Sequence, residues 1–371
     1  MTTLATRKEA VLKRMKADGL QTLVLACSGR HMIDESDPIT HMTAFIAIGP
    51  ALMVLTEDGQ ATLINAPASD FERLLARVTT AECLATDDLA RTFGKFWRKR
   101  QWGKVGSVGL EMLPYEVYGQ IAPMLPSEPV PFDGPFYAAT GAKTEDELRH
   151  ARHATAIAEQ AMERVLSIAR PGMRECDLGV DLNLYMKELG ANDSFLMLNA
   201  GKQSSGVMTS SHRMMEKGDL LLLELSPSVE GQFVQICRIV SIGPPSTDLV
   251  EKYQLLCDAL QQGIAAVRPG VKMLDVCNVI DRRMEAAGYA KYSRPPYLRR
   301  RGHGLSCGTT YPGDVAFDNP NVLEPDMLFM VHPNQFLPGP GYMMCGVPVR
   351  VTSDGAEVLS KTIAFLGVVQ A

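Results

Sequence analysis

The sequence predicts a two-domain α/β (α+β) chain, and three observations carry that expectation. Over residues 1–135, helix-like segments alternate with short β-rich runs, and after a crowd of prolines the rhythm changes to long amphipathic helices and apolar strands. The 371 residues, 46% of them hydrophobic, suffice for two sizeable cores. Within residues 136–371 a segment repeats itself: Arg170-Pro171-Gly172 returns as Arg268-Pro269-Gly270, 98 residues later, and at the same spacing Asp177 meets Asp275, Met186 meets Met284 and Gly190 meets Gly288. A duplicated unit of helix, Pro-Gly stop and second helix implies a pseudo-two-fold domain with its site between the halves.

At the N-terminus, MTTLATRKEAVLKRMK is amphipathic and basic and has no apolar core, so a secretory signal is not expected. Strands are expected at 23–26, 51–55 and 61–64. The apolar stretch 42–55 is broken by Thr43, Gly49 and Pro50 and is too short to span a bilayer. Pro123, Pro126, Pro129, Pro131 and Pro135 mark a linker. Thr144 then caps a long helix with Leu148, Thr155, Ala158, Met162 and Val165 on one face, and Pro171-Gly172 stops it.

The balance of 37 basic against 42 acidic residues gives a net charge of −5, which argues against nucleic acid as the main partner. Eight cysteines are scattered without a CxxC pair or zinc-finger spacing, and they read as reduced thiols of a cytoplasmic protein.

Several segments of the second domain carry a family resemblance. Lys217-Gly218-Asp219 followed by the Leu run 220–223, then Gly231 and Arg238, is similar to the Gly-Asp strand pair that holds two Asp ligands in aminopeptidase P, prolidase and methionine aminopeptidase. Gly302-His303-Gly304 resembles the family's Gly-His-Gly ligand histidine, and residues 327–333, MLFMVHP, resemble the strand that ends in a ligand Glu before Pro. Val351-Thr352-Ser353-Asp354-Gly355 matches the turn after the last ligand Glu. The resemblance implies the pita-bread fold, with a creatinase-like domain at 1–135 and a pita-bread catalytic domain at 136–371. In those frames the five ligand positions read Glu224, Gln235, His303, His332 and Gly346. The creatinase branch, which has the same fold and works without metal, is the nearest parallel. Its catalytic His and Glu fall here on Val207 and Cys237.

The catalytic set expected from these positions is Glu224, His303 and His332. Glu224 follows four Leu on a buried strand, and alternation places Phe233, Gln235 and Cys237 on one face and Val234, Ile236 and Arg238 on the other. Gln235, Arg238, Tyr311, His212 and Phe45 are expected to contact substrate. Phe45, with His41 and Met42, would serve as a lid on the partner's site if creatinase-like dimers are the guide. Residues 201–212, GKQSSGVMTSSH, lack the Lys-Ser/Thr ending of a phosphate loop and read as a site rim. Arg294, Arg299, Arg300 and Arg301 read as a solvated basic face. Cys237 and Cys307 flank the cavity as candidate nucleophiles.

Neutral Gln235 and Gly346 cannot offset the repulsion between two divalent ions, so no metal cofactor is expected. The alternative is one divalent ion on Glu224, His303 and His332. The function expected is metal-independent, creatinase-like hydrolysis of a C–N bond in a small cationic or carboxylated metabolite by Glu/His acid–base chemistry, in a cytoplasmic homodimer without a membrane partner. Three alternatives stand beside it: a lyase acting by elimination or retro-aldol cleavage, an Xaa-Pro-peptidase-like mononuclear metallohydrolase, and a non-catalytic peptide-binding module.

Overall fold

A computed structural model describes residues 3–126, 129–308 and 310–370. The chain divides into two compact units, Met1–Glu145 and Asp146–Ala371.

The first unit is built on six strands: β1 (Thr22–Cys27), β2 (Ala51–Thr56), β3 (Ala61–Asn65), β4 (Glu82–Ala85), β5 (Val105–Val108) and β6 (Val130–Pro131). They run in the order β4-β3-β2-β1-β5-β6, antiparallel from β1 to β3 and parallel elsewhere. Its helices are α1 (Leu4–Ala17), α2 (Pro38–Thr43), α3 (Phe71–Arg77), α4 (Leu89–Trp97), α5 (Tyr115–Ile121) and α6 (Asp133–Ala139). Alternate residues of β1 supply two cores. Leu23 and Leu25 pack with Val11 and Met15 of α1 and Phe136 of α6, while Val24 and Ala26 pack with Phe93 and Trp97 of α4. A sheet covered on both faces explains why β1 and β2 are buried along their whole length.

The described part of the proline-rich stretch is structured. Val130–Pro131 pairs with β5, and α6 carries Phe136 into the core beside α1, so the unit closes at Glu145 and not at 135. Phe45 corrects the lid expectation. It is 1% exposed in this unit's own core with the Arg73 guanidinium stacked 4.7 Å above its ring. His41 and Met42 are buried as well, His41 edge-on to Tyr137.

The second unit carries the repeat. Helices α7 (Glu145–Ile168) and α8 (Glu175–Glu188) lead to strands β7 (Asp193–Gly201) and β8 (Leu220–Val229), which continue into β9 (Gln232–Phe233) and β10 (Ile236–Ile242). Helices α9 (Thr247–Ala265) and α10 (Met273–Ala286) lead to β11 (Gly302–Gly304) and β12 (Leu328–Val331). A hairpin of β13 (Gln335–Leu337) and β14 (Gly341–Met343) follows, then β15 (Val347–Val351), β16 (Ala356–Val358) and β17 (Leu366–Val369). One sheet runs β17-β10-β8-β7 with β9 on β8, and the other runs β11-β12-β15-β16.

Backbone ties at corresponding positions confirm that the halves are copies. Gly172 N donates to Met215 O at 2.8 Å and Glu175 N to Arg213 O at 3.0 Å; in the second copy Gly270 N donates to Leu323 O and Met273 N to Asn321 O, both at 2.9 Å. Gly172 and Gly270 both adopt positive φ, 80° and 86°, where the chain turns out of the first helix. The two sheets meet where Cys237 and Gly346 exchange backbone hydrogen bonds of 3.2 and 3.1 Å.

In the basic run before His303, Arg294 and Arg299 are exposed and Arg300 half-buried, and only Arg301 departs from a solvated face. Arg301 is 0% exposed. Its guanidinium donates to Asp281 of α10 at 2.9 Å, to the carbonyls of Pro333 and Asn334, and to the side chains of Ser293 and Gln335. Arg294 joins Asp281 from the other side. Asp281→Asn removes the carboxylate that compensates a sealed cation, and the loss expected is about 3–5 kcal/mol. Urea unfolding would measure it, and a loss under about 1 kcal/mol would show that Arg301 is compensated elsewhere.

Candidate active site

Strand alternation sets the first wall of the site. Glu224, Ser226 and Ser228 of β8 share a face with Cys237 of β10, because Glu224 and Cys237 are direct partners in the ladder. Leu221, Leu223 and Val240 lie on the other face, toward α7, where Met162 and Leu166 approach Gly367 of β17 beside Val240. Arg238, partner of Leu223, belongs to that far face. It donates to the carbonyls of Cys237, Gly346 and Thr362. The expectation that Arg238 binds substrate is therefore corrected: its donors are spent bracing backbone behind the site.

The second wall is the Gly-His-Gly strand. A Cβ on Gly302 would lie 1.9 Å from Met330 O, and one on Gly304 would lie 1.9 Å from Thr310 O, so only glycine lets β11 nest between β12 and the returning chain. That nesting fixes His303, 3% exposed, with its ring 5.4 Å from the ring of His332. His332 leaves the end of β12, and its backbone N–H donates to Arg301 O at 2.9 Å.

Gln235 joins the two walls. Its Nε2 faces Glu224 Oε2 at 3.5 Å and its Oε1 faces His303 Nε2 at 3.2 Å, so the amide is spent as a relay and not on substrate. The other nitrogen of His303, Nδ1, faces Gly304 O at 3.1 Å. Two oxygen acceptors on one ring are both satisfied only when both nitrogens carry hydrogen. His332 resists protonation. Burial first, then the charges of His303 and Arg300, hold its imidazole well below 6.5, and its Nδ1 makes no hydrogen bond.

The neighbouring acids stay protonated. Burial, then the Glu224 carboxylate, pushes the Cys237 thiol well up, and the same two causes raise the Tyr342 phenol. A thiol held protonated is a poor nucleophile, which removes Cys237 from that role. Cys307 is buried, with its Sγ 3.8 Å from Ser306 Oγ. Sequence reasoning missed Asn334, which lies 2% exposed with its side chain in hydrogen-bonding reach of Cys237 and Tyr342. Its place two residues after His332 was the available signal.

Two expected contact residues are not brought to this group by any observed interaction. His212 is exposed, and its Nδ1 lies 3.5 Å from Cys176 Sγ at the start of α8. The adjoining rim is tied down there: the buried Glu175 carboxylate accepts from Ala200 N, Ser211 N and Ser211 Oγ. Tyr311 is half-buried, and burial, then Glu324, raises its phenol.

The donor set does not fit the metal pair of the resembled enzymes. One carboxylate stands at five positions, His303 has both nitrogens engaged, and a Cβ on Gly346 would lie 2.5 Å from His332 Cβ, so no carboxylate side chain can root there. Among the described residues no three His, Cys, Asp or Glu side chains converge as a metal-holding group.

Comparison with known proteins places this geometry. An uncharacterized peptidase of Bacillus subtilis, YqhT, is 28% identical over 225 residues, 59% of this chain and 62% of the relative. An uncharacterized peptidase of Staphylococcus aureus is 27% identical over 221 residues, with the same shares. The match thus spans 62% of the length of either relative. Among solved structures, an Xaa-Pro dipeptidase from Bacillus anthracis superposes with a TM-score of 0.85 at 22% identity, over 99% of this chain and 100% of that one. Prolidase from Pyrococcus furiosus gives 0.82 at 19%, over 95% and 99%. At these identities the structures establish the pita-bread fold. Residues 149–355 match metallopeptidase family M24, and the chain belongs to that family.

Proposed function

We propose that this M24 member is a metal-independent hydrolase that cleaves a C–N bond in a small cationic or carboxylated metabolite. His332 is the general base, His303 the general acid, and Glu224 holds positive charge on the substrate. The observation that carries this reading is a pair of buried imidazoles whose rings lie 5.4 Å apart in unlike surroundings. One is kept neutral by burial, and the other faces an oxygen from each nitrogen. Two titratable groups held close together in different surroundings are a usual mark of an acid–base pair.

In this scheme His332 takes a proton from water, the oxygen adds to the carbon, and the C–N bond breaks as the leaving nitrogen takes the Nε2 proton of His303, displacing its contact with Gln235. Exchange with solvent resets both rings. A neutral peptide carbonyl needs its oxygen polarised before water can add, whereas an amidine or guanidine carbon is already electron-poor, so a donor set with one carboxylate favours the latter. The same reading has the protein acting as a cytoplasmic homodimer on a soluble small molecule, without nucleic acid or membrane. The net charge of −5 and the free thiols among the described residues support it, as does the absence there of a helix able to cross a membrane.

Glu224→Gln and His303→Ala should each lower turnover by about a hundredfold or more with the melting temperature little changed. Near-normal turnover in either variant would refute the assignment.

A second expectation concerns acid stability. Because the folded His332 resists protonation, the unfolded chain binds more protons once pH falls below 6.5, and stability declines from there toward the folded value. His332→Asn should melt with a shallower acid slope than the parent in that window; parallel slopes would show that His332 does not titrate as described.

Chelators should leave both turnover and melting temperature unchanged. Elemental analysis finding two equivalents of manganese, cobalt or zinc per chain after dialysis would overturn the metal-free chemistry.

A further inference from the structure

Asn334 is held in place more firmly than a binding residue on a free loop would be. Its carbonyl accepts from Arg301 at 2.9 Å and its N–H donates to His332 O at 2.7 Å, so its backbone cannot swing away. Its side chain lies beside Cys237 and Tyr342, both within the field of the Glu224 carboxylate. Yet Asn334 Oδ1 is enclosed and has no hydrogen-bond partner. An orphaned buried acceptor is a standing cost that a donor relieves, and an N–H carried in by a ligand is such a donor.

We propose that Asn334, with Tyr342, is the specificity element of this site, and that it selects substrates whose bound end is a cation bearing N–H groups: an ammonium, amidinium or guanidinium. The inference rests on the hydrolase reading above and narrows its substrate class. Glu224 supplies charge, which any cation satisfies. Asn334 Oδ1 supplies an acceptor, which only an N–H satisfies. The Tyr342 hydroxyl, beside both, adds a further acceptor lone pair while its proton is retained. Tyr342 is tied to the rim by its own N–H, which donates to Ser204 O at 2.7 Å, so it too is fixed before the ligand arrives. A quaternary ammonium would bring methyl groups against Oδ1 and leave it unpaired; sites built around a hydrogen bond reject analogues that lack it.

Calorimetric titration of the full chain with benzamidine and with phenyltrimethylammonium tests this, since the probes share charge and ring and differ in N–H groups. Benzamidine is expected to bind about tenfold tighter or more, and Asn334→Leu, close in shape but without the acceptor, should erase the preference. Asn334→Asp, which keeps an acceptor, should retain it. Equal affinity for the two probes, no binding of benzamidine, or an unchanged preference in Asn334→Leu would overturn the proposal. Binding is read here without turnover, so the two readings fail separately. If benzamidine does not bind while Glu224→Gln still abolishes turnover, the specificity claim falls alone; a clear N–H preference in a protein that hydrolyses nothing would leave Asn334 as a recognition residue and remove the hydrolase.

Discussion

Arg301 sits two residues before His303 with none of its side chain exposed, and the geometry of the site on that side passes through its hydrogen bonds. Its carbonyl positions His332, and its guanidinium holds the backbone of Pro333 and Asn334 and the side chain of Gln335. Burial pulls its pKa down and Asp281 pulls it back up, so the cation is retained only because α10 delivers a carboxylate to it. A sealed ion pair is seldom a net source of stability, but it is directional, and direction is what a site needs. Through it a helix of the second repeat fixes the segment that carries His332 and Asn334.

The replacements at the old ligand positions make sense only together. His332 takes the space into which a side chain at 346 would grow, and Gly346 is the residue that permits it. Gln235 stands between Glu224 and His303 and can face both because an amide offers a donor to the carboxylate and an acceptor to the ring. An Asp in its place would set two carboxylates side by side, where like charges resist ionisation. Each of these residues therefore removes a difficulty that another would create.

The protonation pattern follows from depth as much as from contact. Glu224 is half-buried, whereas Cys237, His332 and Asn334 are enclosed, so of these groups the carboxylate is the one that solvent reaches.

Much of this was legible in the chain. The 98-residue repeat, the helix faces and the strands at 23–26, 51–55 and 61–64 are local patterns of period and stop signal, and local patterns are what a sequence states directly. The same period of two put Gln235 and Cys237 on one face and Arg238 on the other, although only the ladder showed that Arg238 faces away from the site. The fates of Arg301, Phe45 and Asn334 were not legible. A run of arginines reads as solvated until Asp281, distant in sequence, is brought beside it; an apolar segment reads as a lid until its own core closes over it; and an asparagine in a loop carries no mark of being sealed without a partner. Burial of a charged or polar group depends on which distant residue meets it, and that pairing is a property of the packed tertiary structure, not of any window of sequence.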